Sequence, residues 1–184
     1  NICCNKRDDD NIFPAIDELK NKLQMSASEV ELVVVNIGPG GFTGLRTSVA
    51  IAKMISLVNH ASIVPVESAI VCAEHSGIGD GPFFVVSSVK GEHFWLSKVQ
   101  QTASGWECES AISTTESLGS ILGDIQAVFA DEFIPEEAHS LLMRNEIPIY
   151  PLVLSATALL RIGVKLFKDG CSVHPSELLP MYPR

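Results

Sequence analysis

Residues 33–46 read Val33-Val34-Val35-Asn36-Ile37-Gly38-Pro39-Gly40-Gly41-Phe42-Thr43-Gly44-Leu45-Arg46, and this stretch decides the fold. A run of Val and Ile without polar alternation is typical of a strand in a parallel sheet whose two faces are both covered. The glycines permit positive φ and close backbone approach, and Pro39 fixes its own φ, so residues 38–44 are predicted to form a structural turn. Thr43 is a candidate cap for the helix that follows.

The helix predicted after this turn, as far as about Val58, carries two apolar stripes. Only one of them can face the sheet, so the other needs a second cover, which is typical of an interface. The sequence does not tell which stripe faces outward. The first stripe comprises Leu45, Val49, Ala52 and Ile55, and the second comprises Ala50, Met54, Leu57 and Val58.

Two phosphate-binding motifs share the order of strand, glycine turn and helix, since these elements together make an anion site. The dinucleotide fingerprint needs a glycine where Thr43 stands, and the P-loop needs Lys followed by Ser or Thr where Leu45 and Arg46 stand. Neither motif is complete. We therefore expect a structural turn here and no bound ATP.

The composition favours a globular protein that does not capture nucleic acid by itself. The chain has 184 residues, 46% of them hydrophobic, which is enough for one generous domain or two small lobes. Its net charge of −9 opposes direct binding of a nucleic acid. No apolar run reaches the roughly 18 residues of a membrane span, so we expect no membrane partner and a cytoplasmic location. The chain begins with Asn1, so we expect its true N-terminus to be missing.

Apolar periodicity predicts a first helix at about 12–24, where Ile12, Ile16 and Leu19 share one stripe. The glycine-rich residues 76–82 form the best linker candidate, and beyond them the pattern changes to an antiparallel meander. The other predicted strands are 32–37, 63–66, 83–89, 92–100, 106–112, 126–130 and 147–150. The other predicted helices are 67–74, 114–122, 135–144 and 155–167.

No residue pattern predicts catalysis or a bound metal. The five cysteines lack metal or disulfide spacing, so reduced, packed thiols are expected. His75 has no second histidine four residues away, and neither His-Glu-x-x-His nor Gly-x-Ser-x-Gly occurs. Asp8-Asp9-Asp10 indicates a solvated loop, because a metal there would need ligands from elsewhere. A triad assembled in space stays open, since triads are not recognised by sequence position.

The chain resembles the TsaB (YeaZ-like) family in one long motif. This motif is Gly-Pro-Gly-Gly-Phe-Thr-Gly-Leu-Arg at 38–46, followed by Thr-Ser-Val-Ala-Ile-Ala-Lys at 47–53. This family supplies the dimerisation subunit of bacterial tRNA threonylcarbamoyladenosine biosynthesis and belongs to the glycoprotease-like superfamily. A weaker resemblance continues at 87–94, where Ser87 and Val89 replace the family's Asp and Arg, and at 175–184. The family's opening Asp-Thr-Ser strand has no counterpart in this chain.

The resemblance implies an α/β protein with the two-lobed ribonuclease-H-like or actin-like ATPase fold and a degraded nucleotide site. It implies one lobe at 1–80, a second at 81–169 and a tail at 170–184 that returns to the first. The implied function is a non-catalytic scaffold that pairs with the catalytic subunit TsaD and with the ATPase TsaE, so that ATP, metal and tRNA are bound by the partners. A homodimer stays possible. The alternatives are a glycoprotease-like peptidase and a nucleotide-dependent transferase.

The predicted association surface combines the helices at 12–24 and 42–58. Arg46 lies one turn into the second helix, where a cation is locally unfavourable, so we expect an acidic partner from this chain or from another subunit. Small residues on this helix would let a neighbouring helix approach closely. The candidate partner-binding residues are Ile12, Ile16, Leu19, Phe42, Thr43, Leu45, Arg46, Val49, Ala50 and Met54.

Overall fold

The computed structural model describes residues 12–78, 82–89 and 91–182. The predictions for Asp8-Asp9-Asp10 and for the middle of the linker lie outside these residues. The helices are α1 (Ile12–Leu23), α2 (Phe42–Asn59), α3 (Ser68–Ser76), α4 (Thr115–Gly119), α5 (Glu136–Arg144) and α6 (Ala156–Lys168). The strands are β1 (Leu32–Gly38), β2 (Ser62–Glu67), β3 (Phe83–Ser88), β4 (Phe94–Thr102), β5 (Gly105–Ser113), β6 (Val128–Ala130) and β7 (Ile149–Pro151). None of the described helices has the length and apolar character needed to cross a lipid bilayer.

β1 and β2 form a two-stranded parallel sheet that is covered on both faces. α2 packs on one face, where its Val49 meets Val35. α6 packs on the other face, where its Ile162 meets Val64. The prediction of a parallel strand between two layers is therefore confirmed, because the unbroken run of Val and Ile supplies apolar side chains to both faces at once.

α6 packs against the first sheet although its residues belong, by sequence position, to the predicted lobe at 81–169. Its buried residues Ala158, Ile162 and Gly163 lie on one face, which contacts β1, β2 and α3. The face of β1 and β2 that α2 leaves open needs an apolar cover, and this amphipathic helix supplies it. The first packing unit therefore includes residues 156–168.

The second sheet has five strands in the order β5-β4-β3-β6-β7. β5, β4 and β3 are antiparallel, which confirms the predicted meander, and β6 and β7 continue parallel to β3. α4 and α5 cover one face, where Leu118 and Leu142 pack against Val86. α3 covers the other face, where Ala73 packs against Phe83. Both faces of this sheet are therefore buried by helices.

The described part of the tail, residues 170–182, lies against the first sheet. Val173 forms an antiparallel bridge with Ile63, and the Met181 N–H donates to the Ile37 carbonyl at 2.8 Å. Leu178 is fully buried in the core between β1 and α2. The tail therefore contributes to the core on the α2 side of the sheet.

Two predicted helix features differ from the structure. α2 begins at Phe42 with Gly41 as its N-cap and no side-chain cap bond, so the prediction that Thr43 caps this helix is wrong. The extended backbone of Gly41 starts the helix earlier and leaves Thr43 inside the first turn. The helix predicted at 114–122 ends at Gly119, and a 3₁₀ turn follows at 122–124, since Ser and Gly in this segment favour local turns.

Candidate functional site

One asparagine holds the glycine turn in place. Asn36 Oδ1 accepts hydrogen bonds from the Gly38 N–H at 2.8 Å and from the Ser68 hydroxyl at 2.9 Å. Gly38 has a φ of +106°, and a Cβ there would lie 2.8 Å from Leu45 Cδ1, so backbone conformation and packing both favour glycine. A Cβ on any of the other turn glycines would meet nothing within 4 Å, so packing does not require glycine at Gly40, Gly41 or Gly44.

A cleft of about 510 Å³ opens beside this turn. Its walls combine the turn and the start of α2 with Asn36, Ser68 and Leu154. Every side chain in this lining is neutral. The cleft therefore offers a ligand the N–H groups of a helix terminus without the Lys or Arg that usually accompanies them in phosphate sites.

Arg46 lies against an aromatic ring. Its guanidinium carbon is 5.1 Å from the centroid of the Phe42 ring, and that ring lies 4.9 Å from the ring of Tyr182 in the tail. No ion pair of Arg46 occurs within the described part of the chain. A cation–π contact at an exposed site contributes about 0.5–1 kcal/mol, so Phe42 gives Arg46 a partner within the chain, and an acidic partner from another subunit stays a prediction.

Ser87 and Ser88 are the last two residues of β3. Ser87 is buried, and its hydroxyl finds no hydrogen-bond partner among the described residues. The Ser88 N–H and hydroxyl both donate to the Asp131 carboxylate, each at 2.7 Å. Asp131 Oδ1 also accepts a hydrogen bond from the Phe133 N–H at 3.0 Å. This carboxylate therefore connects the end of β3 to the loop that follows β6. Nothing in the sequence pattern pointed to Asp131.

The structure decides which stripe of α2 faces outward. The stripe that begins with Leu45 and Val49 is inside, and these two side chains are 8% and 6% exposed. The other stripe is outside, where Met54 is 54% and Val58 is 77% exposed. Leu45 and Val49 were expected to contact a partner, but they pack in the core because the first sheet covers this side of the helix.

An apolar surface runs over α1 and the outer stripe of α2, and we call it the α1–α2 surface. α1 has no buried residue, although its apolar stripe has helical spacing. A nearly apolar groove of about 320 Å³, lined by residues that include Ile16, Leu19 and Met54, lies between the two helices. The exposed side chains of the α1–α2 surface are Phe13, Leu19, Leu23, Met25, Met54, Leu57 and Val58.

The predicted partner-binding residues fall into four groups in the structure. Ile16, Leu19 and Met54 line the groove of the α1–α2 surface, and Phe42 and Thr43 line the cleft at the glycine turn. Ile12 is half-buried on α1, while Arg46 and Ala50 are exposed on α2. Leu45 also reaches the turn cleft, and Val49 belongs to the core alone. Phe13 and Met25 also belong to the α1–α2 surface. They could not be predicted from the sequence, because neither lies on the apolar stripe of Ile12, Ile16 and Leu19.

His75 is exposed at the end of α3, beside a cleft of about 380 Å³. The other walls of this cleft come from Cys72 on the same helix and from Phe129, Tyr150 and Val153 of the second sheet and the segment after it. Within residues 12–78, 82–89 and 91–182, no three His, Cys, Asp or Glu side chains come together as a metal site. A zinc ion bound through His75 would therefore lack the further protein ligands that it needs among the described residues.

A serine and a histidine are hydrogen-bonded in the tail. His174 Nδ1 lies 2.7 Å from the Ser176 hydroxyl oxygen and also accepts the Ser176 N–H at 3.3 Å. The His174 N–H donates to the Glu177 carboxylate at 3.4 Å. These three residues form a local turn on the surface, and none of them lines one of the three clefts above. None of these three clefts of the described residues therefore holds the pair where a hydrolase would bind its substrate.

The described cysteines are expected to differ strongly in reactivity. Burial raises the pKa of Cys72 to about 11 and that of Cys108 to about 12, whereas Cys171 is exposed. A pKa raised by two to three units leaves about 100- to 1000-fold less thiolate at pH 8, and burial also blocks access. Iodoacetamide at pH 8, followed by peptide mapping, should label Cys171 and spare Cys72 and Cys108.

The same labelling in urea is the control, because unfolding removes the burial that protects the two thiols. Cys72 and Cys108 should then react like Cys171. Equal labelling of Cys108 and Cys171 in the native protein would contradict the half-buried position of Cys108 on β5.

The sequence of this chain is similar to those of known tRNA-modification proteins. The family model described as TsaD, tRNA N6-adenosine threonylcarbamoyltransferase, matches residues 4–118. The tRNA threonylcarbamoyladenosine biosynthesis protein TsaB of Buchnera aphidicola subsp. Baizongia pistaciae (strain Bp) is 31% identical over 64 residues, which are 34% of this chain. The matched stretch covers 29% of that relative, which is less than a third of its length.

Two solved structures from Pseudomonas aeruginosa share the fold. One, described as an uncharacterized protein with similarity to peptidase YeaZ, has a TM-score of 0.75 and 16% identity over 96% of this chain and 84% of its own. The other, YeaZ, has a TM-score of 0.73 and 16% identity over 94% of this chain and 83% of its own. The expected α/β fold of the actin-like and ribonuclease-H-like type is therefore confirmed.

Proposed function

Because the chain belongs to the family of TsaD, tRNA N6-adenosine threonylcarbamoyltransferase, and is TsaB/YeaZ-like, we propose that it takes part in tRNA threonylcarbamoyladenosine biosynthesis. Within that process it serves as a non-catalytic scaffold and dimerisation subunit. It pairs with a TsaD-like catalytic subunit, and a TsaE-like ATPase joins the pair. The partners bind ATP, metal and tRNA, and the complex acts in the cytoplasm.

The α1–α2 surface is the observation that carries this proposal. A 12-residue helix such as α1 is marginal in water unless its apolar face is packed, and α1 has no buried residue. Beside it, the outer stripe of α2 exposes Met54, Leu57 and Val58. An apolar patch of this kind marks an interaction site in a soluble protein. A partner helix that fills the groove would bury both stripes.

The charges of α1 favour an apolar mode of binding. Lys20 pairs with Asp17 at 3.3 Å, and Lys22 pairs with Glu18 at 2.6 Å. Exposed pairs of this kind contribute little to stability, but they leave the polar face of α1 nearly neutral. Binding through the α1–α2 surface should therefore depend on apolar burial and change little with salt.

No observation favours the peptidase or the transferase to a similar degree. The His174–Ser176 pair lies in a surface turn, and the cleft at the glycine turn has a neutral lining. The degraded phosphate motifs and the neutral lining both support a subunit that leaves the chemistry to its partner.

Co-purification with the TsaD-like protein of the same cell tests the proposed function. The wild-type chain should retain that partner at both low and high salt. Leu57→Glu should lose it, because a charge would enter an apolar interface. Leu160→Glu is the matched control, since Leu160 is similarly exposed on α6, which covers the opposite face of the first sheet. Retention of the partner by Leu57→Glu, or no capture by the wild type, would overturn the proposal.

The isolated chain is expected to bind ATP too weakly for calorimetry to detect at micromolar concentrations. The cleft at the glycine turn supplies no cation, and Leu45 and Arg46 stand where a P-loop carries Lys and Ser or Thr. The titration should be repeated with added magnesium, because ATP binds most nucleotide sites with that ion. A micromolar dissociation constant in the absence of partners would contradict the scaffold role.

A further inference from the structure

α3 connects the two sheets, because it follows β2 directly and then crosses the face of the second sheet. Its inner side chains are small: Ala69, Cys72 and Ala73 pack against Phe83 and Val85. Small side chains let a helix approach a sheet closely, but they interdigitate little with it. Polar contacts between α3 and the second sheet therefore add to the restraint that this apolar packing supplies.

Glu74, near the end of α3, contacts both neighbouring elements. Its Oε2 accepts a hydrogen bond from Trp106 Nε1–H on β5 at 3.0 Å. Its Oε1 accepts one from the Arg161 guanidinium on α6 at 2.9 Å. The Glu74 side chain is 22% exposed, and its bond to Trp106 is partly buried, whereas the bond to Arg161 lies at the exposed surface. Hydrogen bonds to an ionised group are stronger than neutral ones, and this carboxylate joins three elements.

Glu67, at the start of α3, makes a second contact with the same strand. Its Oε2 accepts a hydrogen bond from the Ser110 hydroxyl at 3.1 Å, and Ser110 Oγ lies 2.8 Å from Ser97 Oγ on β4. The rise from residue 67 to 74 in a helix is about 10 Å, and the rise from residue 106 to 110 in a strand is about 13 Å. The two spacings differ by only about 3 Å, and both carboxylates reach β5 at the same time.

We propose that Glu67 and Glu74 form a latch that fixes the orientation of the second sheet relative to the first. The latch lies along the β5 side of α3. On the β7 side the helix borders the cleft of about 380 Å³ that Cys72 and Tyr150 line. Because the helix is tied at one edge and open at the other, release of the latch frees the second sheet to turn about α3. This device is independent of the proposed function.

Hydrogen exchange of the full chain tests the latch. Glu74→Ala should raise amide exchange in α3 and β5 by about 10- to 100-fold, the effect expected from losing hydrogen bonds to a charged group. Exchange in β1 and β2 should stay unchanged. Glu109→Ala is the matched control, because Glu109 is an exposed glutamate on β5 that is absent from both bridges. Uniform acceleration over the whole chain, or none, would overturn the latch.

The indole N–H signals give a second readout that a purely global effect would not move. The chain contains two tryptophans, and the signal that disappears in Trp106→Phe identifies Trp106. Glu74→Ala should shift this signal and leave that of Trp95 in place. Should Glu74→Ala fail to fold, Glu74→Gln should give a smaller shift of the same signal, because an amide oxygen still accepts but carries no charge. An unchanged Trp106 signal would show that the bond to Glu74 does not form in solution.

Discussion

Val49→Glu is expected to unfold the protein. Val49 is 6% exposed and packs against Val35 and Ile63 in the core between α2 and the first sheet. Burying an unpaired carboxylate there costs several kcal/mol, which is comparable with a typical total stability of about 5–15 kcal/mol. Circular dichroism should show loss of helix, and urea denaturation should show no folded baseline.

Met54→Glu is the paired substitution on the same helix, and it should leave the protein folded. Met54 is 54% exposed, so the new carboxylate remains in water in the free chain. In an interface it would be buried, and association through the α1–α2 surface should be lost. Size-exclusion chromatography of the chain alone and with the proposed TsaD-like partner measures this loss.

Met143→Glu is the control for both substitutions, because Met143 is similarly exposed but lies on α5 at the second sheet. It should change neither the fold nor the association. If Met54→Glu is folded and still associates like the wild type, the interface lies elsewhere on the molecule.

Gly163→Ala is expected to reduce the free energy of unfolding by about 1–3 kcal/mol, the usual cost of overpacking a core. A Cβ at Gly163 would overlap both γ carbons of Val34, so α6 would have to move away from β1. Alanine is the better helix former by about 1 kcal/mol, and the expected loss therefore runs against helix propensity. Urea denaturation at constant m-value measures the change.

Two further variants separate this steric effect from other causes. Val34→Ala combined with Gly163→Ala removes the methyl groups that clash, so the double variant should be more stable than Gly163→Ala with native Val34. Gly44→Ala is the matched control within α2, because a Cβ there would meet nothing within 4 Å. It should be neutral or slightly stabilising. A stable Gly163→Ala variant would show that α6 does not pack this closely on β1.

The secondary structure could largely be predicted, because the periodicities are strong and the caps are local. The helix predicted at 155–167 is α6 at Ala156–Lys168, and the Ser155 hydroxyl accepts the Ala158 N–H at 3.3 Å, as a cap should. The run of Val and Ile is β1, and the meander is β3 to β5. The failure at Thr43 has a simple reason: glycines precede it, and any of them can adopt the extended backbone of an N-cap.

The candidate site could be predicted only in part. Both helices of the α1–α2 surface came from apolar spacing, but Leu45 and Val49 proved to lie in the core. The two stripes of α2 are about equally apolar, so nothing in the helix itself distinguishes them. Asp131 was missed because a lone aspartate after a short strand has no pattern of its own.

The sequence by itself determined the order of strand, glycine turn and helix, the family of the chain and the antiparallel start of the second half. These features depend on residues that are close together along the chain, so their pattern is visible in the sequence. Only the tertiary structure decided that α6 covers the first sheet, that Met54 faces outward and that Glu74 joins Trp106 and Arg161, which are 32 and 87 residues away. Such contacts depend on the path of the chain between sheets, and no local pattern encodes that path.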